Sequence, residues 1–389
     1  MDFELNEQQR LIGQGVRDTV KDFGLEYWRE KDRAHEFPTE LWQTIGKGGW
    51  CGIAIPEEYG GAGQGSLELG LVVEEACRAG GGSTLSQLFM TTPVFGAETV
   101  KRHGNEEQKK KYLPAMAAGE LDFSMALTEP DAGSNTLGIK TTAVRDGDNY
   151  RINGQKVWIS AIDQAQRCLV VTRTTSLEDA PKKSFGISLF LADVKSDGLT
   201  YQPMEKLGTH TINSCQVFFD NVSVPADELV GEEGKGWGYI LDTLNSERIV
   251  TSAGCLATGD IALKIAAEYG RDRIVFDRPI GSNQGIQFPL ADIKISLEAA
   301  RLLNYQAASQ YDSGINAGAA ANMAKYLAAE TGFAACDRAI QTMGGYGYAV
   351  DSDLERLFRD VRLFRLAPVS QEMILNFVGQ HVLGMPRSY

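Results

Sequence analysis

The sequence predicts an α+β multidomain chain, mainly helical: a helical N-terminal domain over 1–122, a small central β-barrel or sandwich over 123–230, and a C-terminal four-helix bundle over 231–389. Three observations predict it. Apolar residues recur at helical spacing before about residue 120, at a spacing of two from about 123 to 230, and at helical spacing again beyond. The 389 residues exceed the size at which one hydrophobic core stops growing. Alanine-rich stretches such as 317–330 suit the close packing of helices in a bundle.

In the first domain, Leu11, Val16, Val20 and Phe23 mark one apolar face on an otherwise polar stretch. Phe37-Pro38-Thr39-Glu40-Leu41-Trp42 reads as a helix entry with proline in the first turn, where its missing N–H is harmless. Ile55-Pro56 through Gly60-Gly61 breaks the pattern into a loop, and a helix is expected from about Leu67. Asn105 followed three residues later by Gln108 predicts a capping box opening the next helix, with Lys109–Lys111 on its solvated face.

In the second domain, β-rich runs occupy 139–144, 150–159, 168–172, 184–192 and 215–219. The stretch Met125–Ser160 is its organising element. It begins as a short apolar strand that runs into the breakers Pro130, Gly133, Ser134 and Asn135, which predict a loop. Asn153-Gly154 predicts a two-residue hairpin turn. Trp158 and Ser160 lie two apart, so they are expected on one face of the returning strand. An aromatic wall beside a hydroxyl suits a planar heterocycle; a tryptophan buried in a sandwich core is the other reading of the same spacing.

In the third domain, helices are expected near 236–266, 284–312 and 316–342, with a last one after Pro368. Composition bounds the function. The net charge of −13, from 38 basic and 51 acidic residues, argues against nucleic acid and anionic membranes as partners. Any anionic ligand must therefore meet a local basic cluster. The six cysteines are scattered without a paired motif, so neither a disulfide framework nor a metal site is expected. The acidic opening Met1–Asn6 carries no signal-peptide pattern, and no segment reads as a membrane span of ~20 apolar residues. A reducing cytoplasm is the expected compartment.

Two motifs carry a family likeness. Leu-Thr-Glu-Pro-Asp-Ala-Gly-Ser (127–134) and Gly-Gln-Lys-Val-Trp-Ile-Ser (154–160) resemble the flavin-contacting signatures of the acyl-CoA dehydrogenase family, in register over essentially the whole chain. The resemblance implies FAD held by Met125, Leu127, Thr128, Gly133, Ser134, Trp158 and Ser160. Arg273-Ile274-Val275-Phe276 followed by Gln284 resembles the segment that reaches a neighbouring subunit's FAD, where a guanidinium can pair with pyrophosphate. Gln341-Thr342-Met343-Gly344-Gly345 resembles the segment lying against adenosine and pyrophosphate, although Gly-Gly after a helix alone reads as a C-cap. Such sharing implies an obligate oligomer, a homotetramer (dimer of dimers) or a heterotetramer with a homologue.

The likeness also implies a reaction: dehydrogenation of an acyl-CoA thioester to the 2-enoyl-CoA, with electrons passed to an electron-transferring flavoprotein. Removal of the α-proton needs a base. In the family this is usually a glutamate following an Arg-Asp pair; counted from Arg359-Asp360, the position holds Pro368. Ser370 falls where the family's flavin-contacting Thr lies, and Ser134 and Arg248 are implied at the substrate. Two carboxylates could replace the base. Glu247 matches the position used by the isovaleryl-CoA and long-chain branches, and Glu372 lies one helical turn past Pro368. An ordinary ion pair with Arg248 or a neighbour is the alternative for Glu247. Other expectations are an enoyl-CoA reductase, an oxidase, a carrier-protein thioester dehydrogenase, or a non-catalytic FAD-binding subunit.

Overall fold

The structure, a computed structural model, describes residues 4–387. Residues 1–3, the start of the acidic opening, and residues 388–389 lie outside the described residues. Seven helices come first: α1 (Glu7–Val20), α2 (Leu25–Ala34), α3 (Thr39–Lys47), α4 (Ser66–Ala76), α5 (Gly82–Phe89), α6 (Thr99–His103) and α7 (Glu106–Ala117). Asn105 and Gln108 do form the capping box of α7, and Asn6 with Gln9 forms another on α1. Pro38 sits at the N-cap of α3, one position outside the first turn. Lys109 and Lys111 pair with Glu106 and Glu228.

Eight strands follow: β1 (Phe123–Ala126), β2 (Thr142–Asp146), β3 (Asn149–Ser160), β4 (Arg167–Arg173), β5 (Ile187–Asp193), β6 (Leu199–Pro203), β7 (Ser214–Pro225) and β8 (Leu229–Val230). They form one sheet in the order β6-β7-β3-β2-β4-β5-β8, with β1 added parallel to β4. Strands β6 and β8 fall outside the predicted runs. Only Leu199 of β6 is buried, and β8 has two residues, so neither shows a legible alternation.

One expectation about β3 is corrected. Asn153-Gly154 is not a hairpin turn; the β2–β3 turn lies at Gly147, and Asn153 sits mid-strand at a register shift opposite β7. Gly154 is needed there for closeness rather than turning: a Cβ would fall 2.4 Å from Thr141 Oγ1. A second shift between Lys156 and Ile159 places Trp158 at φ 61°. Beyond it the register is regular again, and Trp158 and Ser160 are both more exposed than the buried Ile159 between them.

The chain then returns to helix. α8 (Gly236–Asp272) leads to a small ribbon, β9 (Ile274–Val275) with β10 (Arg278–Pro279). After it come α9 (Gln284–Asp312), α10 (Gly318–Met343), α11 (Gly345–Tyr348), α12 (Asp353–Arg362) and α13 (Gln371–Phe377). Helix α12 was not expected; its apolar Leu354, Leu357 and Val361 are buried, but charged residues fill the spaces between. α8 is long and apolar enough to cross a bilayer, yet 78% of its most apolar window is buried inside the protein. It is the core helix of the bundle. Gly254 on α8 lets α5 approach so closely that a Cβ would meet Ser86 Oγ at 2.4 Å. One hydrophobic core joins α1–α5 to α8, α9, α10 and α12, so the first and third segments of the sequence pack as one body. All six cysteines are free and buried.

Candidate active site

Strand β1 carries Met125 and runs through Leu127 and Thr128 into the predicted loop. A buried ion pair fixes that loop. Lys156 on β3 donates to the Leu127 carbonyl and to Glu129 Oε1, each at 2.9 Å. The Glu129 carboxylate also accepts the backbone N–H groups of Lys140 and Thr141, at 2.6 and 2.9 Å. Burial pushes the Lys156 ammonium down to about 8. Burial alone would raise Glu129, but the charge of Lys156 and the hydrogen bonds from Thr141 and Lys140 hold it below the usual range. Val157 N–H donates to the Thr128 carbonyl at 2.9 Å, tying the loop to the strand.

The outcome is an open cavity of ≈ 500 Å³ lined by Thr128, Gly133 and Trp158 together with Gln155, Met204 and Gln216. Trp158 is 55% exposed, so it is not the core tryptophan of a sandwich. Its positive φ is rare for a bulky residue and is typical of functional sites. Among the predicted flavin residues, Thr128, Gly133 and Trp158 line this cavity. Ser134 is exposed on the same loop, while Met125, Leu127 and Ser160 are half-buried. The Lys156–Glu129 pair was missed, though both charges stood inside the two motifs, where a strand core makes an isolated charge unusual. Met204 and Gln216 left no signal, because β6 and β7 reach the site only through the sheet's pairing.

Glu247 lies on α8 and is 6% exposed. Its Oε2 has no hydrogen-bond partner among the described residues, while Arg248 donates to Asn245 Oδ1 at 3.0 Å. Burial raises the Glu247 carboxyl to about 8, against the opposing charges of Arg248 and Lys325. One turn earlier, Leu244 shares a hydrophobic cluster with Met125 and Leu127. Glu372 has the opposite setting. It is exposed, and its own backbone N–H and the Ser370 hydroxyl hold it below the usual carboxylate range. Ser370 itself is the N-cap of α13, accepting from Met373 N–H. Pro368 stands in the turn just before it.

The C-terminal motifs gather elsewhere. Arg273 follows α8, Phe276 is 94% exposed at the tip of the β9–β10 ribbon, and Gln284 opens α9. Gln341, Gly344 and Gly345 are exposed at the end of α10. Tyr269 and Tyr346, with ring centroids 6.5 Å apart, place the two segments at one end of the bundle. At about 1.5 Å per residue, α8 runs ~38 Å from Glu247 to its end. Within one chain, therefore, the two groups of predicted cofactor residues stand toward opposite ends of α8.

Comparison with known proteins decides the family. The chain matches the N-terminal, middle and C-terminal domain models of acyl-CoA dehydrogenase over residues 6–120, 124–222 and 234–383. It belongs to the acyl-CoA dehydrogenase family. The acyl-CoA dehydrogenase FadE12 of Mycobacterium tuberculosis (strain ATCC 25618 / H37Rv) is 43% identical over 386 residues, covering 99% of this chain and 98% of that protein. The 3-(aryl)acrylate reductase of Clostridium sporogenes (strain ATCC 15579) is 35% identical over 380 residues, covering 97% and 99%. The solved FAD complex of PigA superimposes with a TM-score of 0.93 at 26% identity, covering 99% and 100%. This acyl-CoA dehydrogenase is thus an oxidoreductase by family, with the buried carboxylate of Glu247 on α8 and proline at position 368.

Proposed function

We propose that the protein dehydrogenates an acyl-CoA thioester to its 2-enoyl-CoA, with FAD as cofactor, Glu247 as base and an electron-transferring flavoprotein as acceptor. The observation that carries this is the buried Glu247 carboxyl, whose Oε2 is left without a partner one turn after Leu244, which packs in one cluster with Met125 and Leu127. FAD, when bound, supplies the acceptor for the hydride that leaves the β-carbon. What this chain supplies is placement and a proton site. Thr128, Gly133 and Trp158 offer an exposed ring and a peptide-lined loop that fit a planar heterocycle, with Met125, Leu127, Ser134 and Ser160 around them. Arg273, Phe276, Gln284, Gln341, Gly344 and Gly345 of a second copy would reach the adenosine end. The span of α8 supports that sharing, and with it a tetramer in the manner of the family.

Glu247 Oε2 takes the α-proton, and its raised proton affinity matches such a step near neutral pH. Arg248 and Ser134 stand as substrate contacts, and Ser370 as a further flavin contact. Pro368 can carry no proton, and Glu372 is exposed and held ionised, so it is a weak acceptor. Six free thiols support a reducing, cytoplasmic setting. Likeness to the reductase of C. sporogenes favours one second reading, reduction of an enoyl thioester by the same site run backwards.

Anaerobic mixing with butyryl-, octanoyl-, isobutyryl- and 3-phenylpropionyl-CoA tests both. Flavin bleaching by one of them supports dehydrogenation. Bleaching only by dithionite, followed by reoxidation with a matching enoyl-CoA, supports the reductase. A colourless protein that takes up no added FAD would sink both.

A further inference from the structure

Lys325 on α10 is a buried cation that the mechanism above does not use. Its side chain has no exposed surface. Its Nζ donates to the Val369 carbonyl at 2.6 Å and to Gln371 Oε1 at 3.3 Å. The Gln371 amide in turn donates to the Tyr326 carbonyl and to Glu330 Oε1, which also accepts from Arg365 Nε at 2.7 Å. The turn that follows Pro368 is thereby stitched to α10 from both sides. Building on the assignment of Glu247 as base, we propose that Lys325 is a positioning residue with two tasks. Its ammonium fastens the Val369–Gln371 turn to the bundle, and its charge reaches the Glu247 carboxyl from a second helix.

Burying an ammonium costs several kcal/mol unless its donors are satisfied and a negative charge is near. Hydrogen bonds to a carbonyl and an amide oxygen answer the first need, and Glu247 and Glu330 supply the second. The groups around Glu247 are few. Arg248 shares its helix, and the charge of Lys325 acts on it from α10, which packs so closely on α8 that a Cβ at Gly332 would fall 2.6 Å from the Cys255 carbonyl oxygen. Glu98, on the Met90–Glu98 turn packed against α8, is already paired with Lys101 and Arg102. Glu74 of α4 and Arg301 of α9 pair with each other. Around Lys325 the charged and titratable groups are Glu247, Arg248 and Cys255 of α8, Glu330 of its own helix and Glu372 of α13. Burial pushes Lys325 down to about 8, against the charges of Glu247 and Glu330.

Lys325→Met, close in length but uncharged, separates these tasks from mere filling of space. With the thioester that bleaches the wild-type flavin fastest among the four above, the rate of flavin reduction should rise with pH as Glu247 ionises. In Lys325→Met that limb should move about one unit upward, lowering the rate near pH 7 about tenfold. Amide exchange over residues 366–372 should quicken, read on the FAD-loaded protein without substrate. Lys325→Gln, which keeps an N–H donor, should slow exchange again while leaving the limb displaced, and it stands in if the Met variant does not fold. A pH limb and exchange rates that both superimpose on wild type would overturn the proposal. Glu247→Gln at wild-type speed would instead overturn the base assignment; the exchange data would then decide the fastening by themselves.

Discussion

Burial raises the proton affinity of Glu247 above that of an exposed glutamate, and two consequences follow at the scale of the residue. Loss of a positioned base typically costs ~10²–10⁴-fold in rate. Glu247→Gln should therefore slow flavin reduction in stopped-flow by about that factor while keeping FAD, and Glu372→Gln should change it little. The second consequence concerns stability. The folded pKa of about 8 lies above the ordinary value of 4.5, so the native state binds the proton more tightly than the unfolded chain. Stability from this group is full below about 4.5 and is lost as pH rises toward 8. Each unit of difference corresponds to about 1.4 kcal/mol, and burial at this site is nearly complete. Glu247→Gln has no such loss. Its melting temperature relative to wild type should climb between pH 5 and pH 8; a constant difference would show that the carboxyl is already ionised in the native protein.

At the scale of the element, β3 does most to shape the site, through two irregularities rather than through its ladder. The Gly154 shift lets Thr141 press against the backbone, and the Trp158 bulge turns a large ring outward. Gly154→Ala should destabilise the protein by roughly 1–3 kcal/mol, because the added methyl meets Thr141 and because φ 152° strains a residue with a Cβ. Gly147→Ala, in the open β2–β3 turn at φ 62°, has only backbone strain to overcome and should cost less. Equal melting temperatures for the two would remove the steric argument. These irregularities also mark the limit of what the sequence made legible. Helix ends announced themselves through Asn105 and Gln108, because a cap is local chemistry. Asn153-Gly154 misled because the glycine answers to Thr141, a partner met only after the sheet assembles. The pairing of Lys156 with Glu129 was hidden for the same reason, as was the role of α10 in presenting Lys325 to the turn after Pro368. Glu247, by contrast, could be named from position, but its burial and its proton affinity depend on helices that approach from far along the chain.

At the scale of the whole molecule, the first and third segments of the chain share one core around α8, and the sheet packs beside them. Opposite ends of α8 carry the two halves of the proposed cofactor site, and a site shared between two copies would make cofactor binding and assembly linked equilibria. Arg273→Ala should weaken both together: gel filtration with absorbance detection should show smaller species that have shed their flavin. A monomer retaining one FAD would end the shared-site reading. The cysteines are distributed through the same architecture: Cys51 and Cys77 in the first helices, Cys168 and Cys215 in the sheet, Cys255 and Cys336 in the bundle, every one a buried thiol. A thiol reagent can reach them only when the surrounding structure opens. The native protein should therefore consume almost no reagent, and the order in which the six become labelled under mild denaturant would be a chronology of its breathing, written without a single introduced probe.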